Sequence, residues 1–327
     1  MVELNAKRYN ELDYVYAVAR TKMISINRLD AESLEKMINS ATFDDACKVL
    51  VDLGWTEAGL GTDFELMLNG ELDKTYRFME KMDVPLVTGV QKISFDYHNA
   101  KVLMKSEFSR RKSGHYMFMP NGNIPLEHIK KIFLERDYHE LGSSMEKAVL
   151  KVIEDYPRLK DPKIIDFVFD AAMFYDMNEF VRKNIFDKDV RELFSVQIDL
   201  HNIKSFVRCV RLGLGEETAA AAFAPGGTLS EEFFIQNINA DSSGLKKVFE
   251  KTPYAKAFED DLSENLECSL DKYLISYVEK ARKRYFGIFP LYGYLLRKQI
   301  EVQNARIVLI CKKNNISADV IRSKLRL

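Results

Sequence analysis

Nearly every segment of this chain reads as amphipathic helix, and no alternating apolar and polar run marks a strand. Between Pro253 and Phe286 apolar residues return every three or four positions with no Gly or further Pro. That pattern predicts one long helix, broken at most once, stopped at Gly287 and followed by a helix opening at Pro290. Start signals are frequent. Thr62 to Glu65 and Ser143 to Glu146 have capping-box spacing. Asp161-Pro162 and Thr252-Pro253 set a capping side chain before a helix-opening Pro, and Ser230-Glu231-Glu232 sets a cap before two acids. Loop signals fall at Ser113-Gly114, Pro120 to Pro125, Gly213 to Gly215 and Pro225-Gly226-Gly227.

The helical pattern contains a repeat. Asp96-Tyr97-His98-Asn99-Ala100-Lys101 returns as Asp199-Leu200-His201-Asn202-Ile203-Lys204 and again as Glu301-Val302-Gln303-Asn304-Ala305-Arg306. The asparagines stand 103 and 102 residues apart, a period that belongs to repeated subdomains rather than to a solenoid. An acid followed by apolar residues precedes each copy: Asp73 to Tyr76, Asp170 to Phe174, Asp271 to Leu274. A loop and a new helix follow each, at Ile124-Pro125, Leu229-Ser230 and Ile316-Ser317, and Leu29-Asp30 has the same form. The chain therefore reads as circularly shifted, starting in the second half of a unit. Three similar helical subdomains are expected at residues 1–115, 116–215 and 216–327, an all-α body with pseudo-threefold symmetry.

On a helix, each copy presents an apolar stripe carrying one Asn: Phe95, Asn99, Val102, Leu103, Ser106; Ile198, Asn202, Ser205, Phe206, Cys209; Ile300, Asn304, Ile307, Val308, Cys311. An amide at the edge of such a face needs partners, since a buried unpaired one costs about 1–3 kcal/mol. Backbone of a neighbouring helix or loop in the same unit is the expected partner of Asn99, Asn202 and Asn304. Convergence of the three on a ligand is the alternative.

Composition narrows the function. With 15 Gly and 8 Pro in 327 residues the chain favours helix over turn-rich β structure. A formal charge of −1 lacks the basic excess of a nucleic-acid binder. The N-terminus has no apolar signal-peptide core and no run nears 18 apolar residues, so a cytoplasmic chain without a transmembrane segment is expected. Cys47, Cys209, Cys268 and Cys311 show no CxxC spacing and read as buried, reduced thiols.

No catalytic motif emerges. Gly54 to Gly59 has phosphate-loop spacing, but Leu60-Gly61 replaces the required Lys and Ser or Thr. Gly213-Leu214-Gly215 is a lone GxG, and no GxSxG occurs. His98, His115, His128, His139 and His201 form no HExxH, and Gln303 at the third repeat position excludes a threefold His site. Glu259-Asp260-Asp261 reads as a solvated face. No metal, cofactor or catalytic residue is expected. Basic residues follow the repeated helices: Arg110, Arg111 and Lys112 after the first, Arg208 and Arg211 on the second, Lys312 and Lys313 ending the third. They suit helix C-termini, at about 0.3–1 kcal/mol each, and alternatively form a basic ring for an acidic partner.

Three segments carry a family resemblance: the N-terminal YVYAVARTK, the three hexapeptides, and the closing PLYGYLLRKQIEVQNARIVLICKKNNISADVIRSKL. They resemble the C subunits of the archaeal and bacterial V-type (A-type) ATP synthases, a family that includes the d subunit of the eukaryotic vacuolar ATPase. The likeness covers essentially the whole length; where the family commonly has Asn before the small N-terminal residue, this chain has Tyr16 before Ala17. The resemblance implies a funnel or socket of three subdomains on the cytoplasmic side of the membrane. Its implied partners are the central-stalk subunits of D and F type and the membrane rotor (proteolipid) ring. The implied role is non-catalytic: torque transmission in a rotary ATPase that couples ATP synthesis or hydrolysis to proton or sodium transport. The competing readings are a helical adaptor with a threefold bowl and an all-α hydrolase or lyase.

Overall fold

A computed structural model describes residues 10–25, 28–55, 64–109, 114, 117–119, 121–159, 161–241, 244–258 and 266–326. Its regular elements are helices throughout. In order they are α1 (Val15–Ile24), α2 (Ala31–Asn39), α3 (Phe43–Asp52), α4 (Phe64–Lys81), α5 (Pro85–Ser109), α6 (Leu126–Glu135), α7 (Ser143–Leu159), α8 (Lys163–Asn184), α9 (Lys188–Leu212), α10 (Glu216–Ala222), α11 (Glu231–Gln236), α12 (Leu245–Phe249), α13 (Leu266–Lys283), α14 (Phe289–Lys313) and α15 (Ala318–Lys324). The chain divides into two compact units, Thr88–Ala255 and Asn10–Val87 with Lys256–Leu327.

The repeat is legible in this order. Each hexapeptide lies on a helix of 25 residues: α5, α9 and α14. Each of these follows another long helix, of 18, 22 and 18 residues: α4, α8 and α13. The segments after the repeats start helices α6, α11 and α15, and Asp30 starts α2. Local caps explain several starts. Asp30 accepts from Ser33 N at 3.0 Å, Thr42 from Asp45 N at 3.1 Å and Ser230 from Phe233 N at 3.3 Å. At the end of α9, Gly213 takes a φ of 63°, and its N–H and that of Leu214 satisfy the Val210 and Cys209 carbonyls.

The 25-residue helices are the centres of the cores. From α5, Tyr97, Ala100 and Met104 pack with Ile129, Ile132 and Phe133 of α6, Val149 and Val152 of α7, and Ile165 and Phe169 of α8. Phe206 of α9 meets Phe234 of α11 and Phe249 of α12 at ring distances of 5.4 and 5.9 Å. From α14, Val302, Ala305, Val308 and Leu309 pack with side chains of α2, α3, α4 and α15. The C-terminal copy thus packs with the N-terminal helices of the same unit. Burying each large apolar side chain contributes roughly 1.5–3 kcal/mol.

Several expectations need correction or qualification. The described residues after Pro253 open on a 3-10 helix, Ala255–Phe258, where an α-helix was expected, and α13 covers Leu266–Lys283. Thr252 and Pro253 open a turn because the Thr252 hydroxyl donates to Phe249 O and accepts from Tyr254 N. Helix α13 ends at Lys283, short of Gly287, which takes a φ of 78°, donates its N–H to Glu11 O and follows an Arg284 that lies 3.7 Å from Glu11. Ser143 is already helical, and Glu146 reaches His139 at 2.5 Å instead of closing a capping box. The repeated helices bury more than a single stripe: on α9, Ile198, Asp199, Leu200, Asn202, Ile203, Ser205, Phe206 and Val207 are all buried. Cys268 is only half-buried and its thiol donates to Leu325 O, whereas Cys47, Cys209 and Cys311 are buried. Burial pushes the Cys47 and Cys209 thiols up to about 11. Thr62, the Gly59 to Gly61 stretch, His115 and Glu259 to Asp261 lie outside the described residues.

Candidate functional site

Each repeated Asn forms the same two-bond clamp on a backbone segment some twenty residues downstream. Asn99 Nδ2 donates to Met119 O and Met119 N donates to Asn99 Oδ1, both at 2.8 Å. Asn202 and Ala224 exchange the same pair at 2.8 Å. Asn304 and Arg326 do so at 2.9 Å. All three asparagines are buried. An amide matches a backbone donor and acceptor together, which no other side chain of this size does except Gln. The described residues therefore give the three amides a loop-holding function within each copy, and no ligand is needed to satisfy them.

A second grip uses the first residue of the hexapeptide. The Asp96 carboxylate accepts from Asn123 N and Ile124 N at 3.1 and 3.0 Å. Asp199 accepts from Thr228 N and Leu229 N at 2.9 and 3.0 Å, from the Thr228 hydroxyl at 2.6 Å and from the Tyr254 hydroxyl at 2.7 Å. Burial raises the Asp96 carboxyl above its ordinary range despite these bonds. The carboxylates leave no room beside them. A Cβ on Gly122 would overlap Asp96 Oδ1, and one on Gly227 would overlap Asp199 Oδ1. Glu301, the third copy's acid, is used otherwise. It joins a buried ionic group in which Lys298 Nζ lies 2.9 Å from Glu301 and 3.0 Å from Glu71, with Arg297 3.2 Å from Glu301.

His98 and His201 hold the same loops as their neighbouring asparagines. His98 Nε2 lies 2.8 Å from Met117 O, and His201 Nε2 lies 3.2 Å from Ala222 O. Burial lowers the pKa of both rings, so the neutral tautomer with the proton on Nε2 donates to each carbonyl. In the first and third copies the hexapeptide's last position bonds to another helix. Lys101 pairs with Asp170 at 2.5 Å, and Arg306 pairs with Glu65 through three bonds of 3.0 to 3.1 Å. Of the other acids singled out in the sequence, Asp271 pairs with Arg326 and Asp73 with Arg77.

The candidate partner-binding cations divide by environment. Arg110, Arg111 and Lys112 lie outside the described residues. Arg208 and Arg211 are exposed on the last turns of α9, with the Arg208 guanidinium 5.9 Å from the Phe167 ring. Lys312 is half-buried and donates to Ser40 O at 2.7 Å, while Lys313 is exposed with its ammonium 5.8 Å from the Phe64 ring. Among the described residues no helix is long and apolar enough to cross a membrane, and no group of His, Cys, Asp or Glu is placed to hold a metal ion.

The buried polar groups described above join helix to loop or helix to helix. The fold they define is an all-α scaffold built on three copies of an Asn-clamped central helix. Residues 17–324 match the family described as ATP synthase (C/AC39) subunit, and the chain belongs to that family. Curated relatives agree. The chain is 22% identical over 328 residues to the C subunit of the V-type sodium ATPase of Enterococcus hirae, covering 97% of this chain and 98% of that one. It is 22% identical over 346 residues to the C subunit of the A-type ATP synthase of Methanocaldococcus jannaschii, covering 95% and 86%. It is 29% identical over 191 residues to the corresponding subunit of Methanobrevibacter smithii, covering 53% and 47%.

The loop signals at Pro120 to Pro125 and Pro225-Gly226-Gly227 contain the two glycines but not their approach to Asp96 and Asp199, and the buried ionic group has no counterpart among the motifs. A signal existed for the glycines: Gly122 and Gly227 follow Asp96 and Asp199 by 26 and 28 residues. No signal linked Glu71 to Lys298, which lie far apart in the chain.

Proposed function

We propose that this chain is the C subunit of a rotary V-type or A-type ATPase, a non-catalytic part of the central rotor. In this reading it sits on the cytoplasmic side of the membrane as a peripheral component. It forms a socket between the D- and F-type stalk subunits and the rotor ring, and passes torque between ATP chemistry and proton or sodium transport. The observation that carries the reading is end-to-end likeness: the family match spans residues 17–324, and the Enterococcus relative is covered almost completely. Three helical subdomains, divided near residues 115 and 215, would offer the stalk three similar surfaces. The repeated element order and the three equivalent Asn clamps support that division. Buried polar bonds rigidify such a body, and a part that transmits torque must not yield internally.

Arg208, Arg211 and Lys313, with Arg110 to Lys112, would supply the charged contacts that set register with the stalk. The test is affinity purification of the tagged full-length chain from detergent-solubilised membranes of its own cells. The expected co-purifying proteins are a proteolipid ring and stalk subunits. Recovery of the chain alone, or with unrelated proteins, overturns the assignment. Reversal of Arg110, Arg208 and Lys313 together to Glu is expected to reduce stalk recovery at least tenfold. Unchanged recovery removes these residues from the interface while leaving the family assignment in place.

A further inference from the structure

A cavity of about 290 Å³ lies within the unit formed by Asn10–Val87 and Lys256–Leu327, where α1, α13 and α14 meet. Its lining includes Lys22, Arg28, Arg282 and Arg297, and no carboxylate. Two of the cations have an ordinary explanation: Lys22 and Arg282 stand in the last turns of α1 and α13, where the helix dipole favours positive charge. That explanation does not reach Arg28, in the connection after α1, or Arg297, in the middle of α14.

Partial neutralisation leaves the cavity positive. Arg297 is matched by Glu301 at 3.2 Å, and Arg282 lies 3.4 Å from Glu279. Lys22 spends one donor on the Arg282 carbonyl at 3.0 Å, and its ammonium stands 3.4 Å from the centre of the Tyr285 ring. The Arg28 side chain makes no hydrogen bond or ion pair with a described residue, and its charge helps to lower the pKa of the Asp30 carboxyl. Burial and the nearby Arg282 charge both lower the pKa of Lys22.

Lys22 and Tyr285 have exposed apolar neighbours. Met23 and Ile24 follow Lys22 directly and are 69% and 42% exposed; Tyr285 and Phe286 are 65% and 52% exposed. Cations beside exposed aliphatic and aromatic side chains are the chemistry of a membrane interface, where the head is bound by charge and the body by apolar contact. The volume, near the lower end of ligand sites at roughly 300 Å³, suits a headgroup.

We propose that this cavity binds a phosphate-bearing anion, with the exposed apolar neighbours of Lys22 and Tyr285 favouring an anionic phospholipid as its carrier. Arg28 supplies a guanidinium fork, Lys22 an ammonium, and Arg297 and Arg282 the surrounding positive field. The site is independent of which rotary complex the chain joins.

The test uses the full-length chain with two probes. One is sedimentation with phosphatidylcholine vesicles with and without about 30% phosphatidic acid, a headgroup that is a bare phosphate. The other is calorimetric titration with inorganic pyrophosphate. The double variant Lys22→Gln, Arg28→Gln is compared with Lys246→Gln, Lys247→Gln, which removes two exposed cations on α12. Circular dichroism checks that each variant folds, and Lys22→Arg serves as the conservative control. Saturable binding of either probe, weakened at least fivefold in the first pair and retained in Lys22→Arg, is the expected result. Dependence on phosphatidic acid assigns the phosphate to lipid; pyrophosphate binding without vesicle binding assigns it to a soluble ligand. Absence of binding by both probes, or equal losses in the two double variants, overturns the proposal.

Discussion

The Asn202 side chain and the Ala224 backbone exchange two hydrogen bonds of 2.8 Å in a fully buried setting. Truncation of Asn202 to Ala strands a donor and an acceptor, each costing about 1–3 kcal/mol. Asn202→Ala is expected to lower the unfolding free energy by roughly 2–4 kcal/mol, measured by urea denaturation. Asn99→Ala should cost less, because Met119 is only half-buried and water can replace the lost partners.

The close approach of Gly227 to Asp199 makes a sharper test. Asp199 is held by Thr228, Leu229 and Tyr254, so it has no freedom to move from an added methyl. Gly227→Ala should destabilise by about 1–3 kcal/mol or more. Gly142→Ala, where a Cβ meets nothing within 4 Å, should stay within about 0.5 kcal/mol. Thermal melts of the two variants beside the parent chain decide the matter.

Both repeat histidines have folded pKa values below the ordinary 6.5. Below that value the unfolded chain takes up protons that the folded chain refuses. Their contribution to stability is therefore complete above about pH 6.5 and is lost as pH falls toward the folded pKa. Urea midpoints should fall between pH 7.5 and 5.5, with a slope of at most about 1.4 kcal/mol per pH unit for each ring. His201→Gln, which can still donate to the Ala222 carbonyl, should flatten part of that slope. A midpoint that rises on acidification contradicts the assignment.

Lys298 is the cation shared by two buried carboxylates, Glu71 and Glu301. Lys298→Met leaves both without it and should cost about 3–5 kcal/mol. Adding Glu71→Gln and Glu301→Gln should restore much of the loss, because the uncompensated charge is then gone. Calorimetric melting of the single and triple variants measures the difference.

The sequence made the repeats legible because packing demands the same side chain at the same place in each copy. Asn99, Asn202 and Asn304 each clamp a backbone segment 20 to 22 residues on, and constant spacing exposed them. Functions that depend on one copy alone were not legible. Glu301 occupies the position of Asp96 and Asp199 but pairs with Lys298, and nothing in a hexapeptide distinguishes a loop-holding acid from an ion-paired one. The helix boundaries at Lys283 and Ser143 differ from the local signals, and the contacts beside them, from Glu11 and His139, carry no pattern in the sequence. The cationic cavity draws Lys22 and Arg297 from opposite ends of the chain, a proximity that only folding creates.

ATP-driven ion uptake by membrane vesicles tests the central claim most directly. Vesicles from cells lacking this chain are compared with vesicles from cells making it, and with deficient vesicles given the purified full-length chain. Deficient vesicles are expected to lose proton or sodium uptake, any ATP hydrolysis left is uncoupled from transport, and added chain restores uptake. Uptake that is undiminished in its absence contradicts a role as the coupling component of a rotary ATPase.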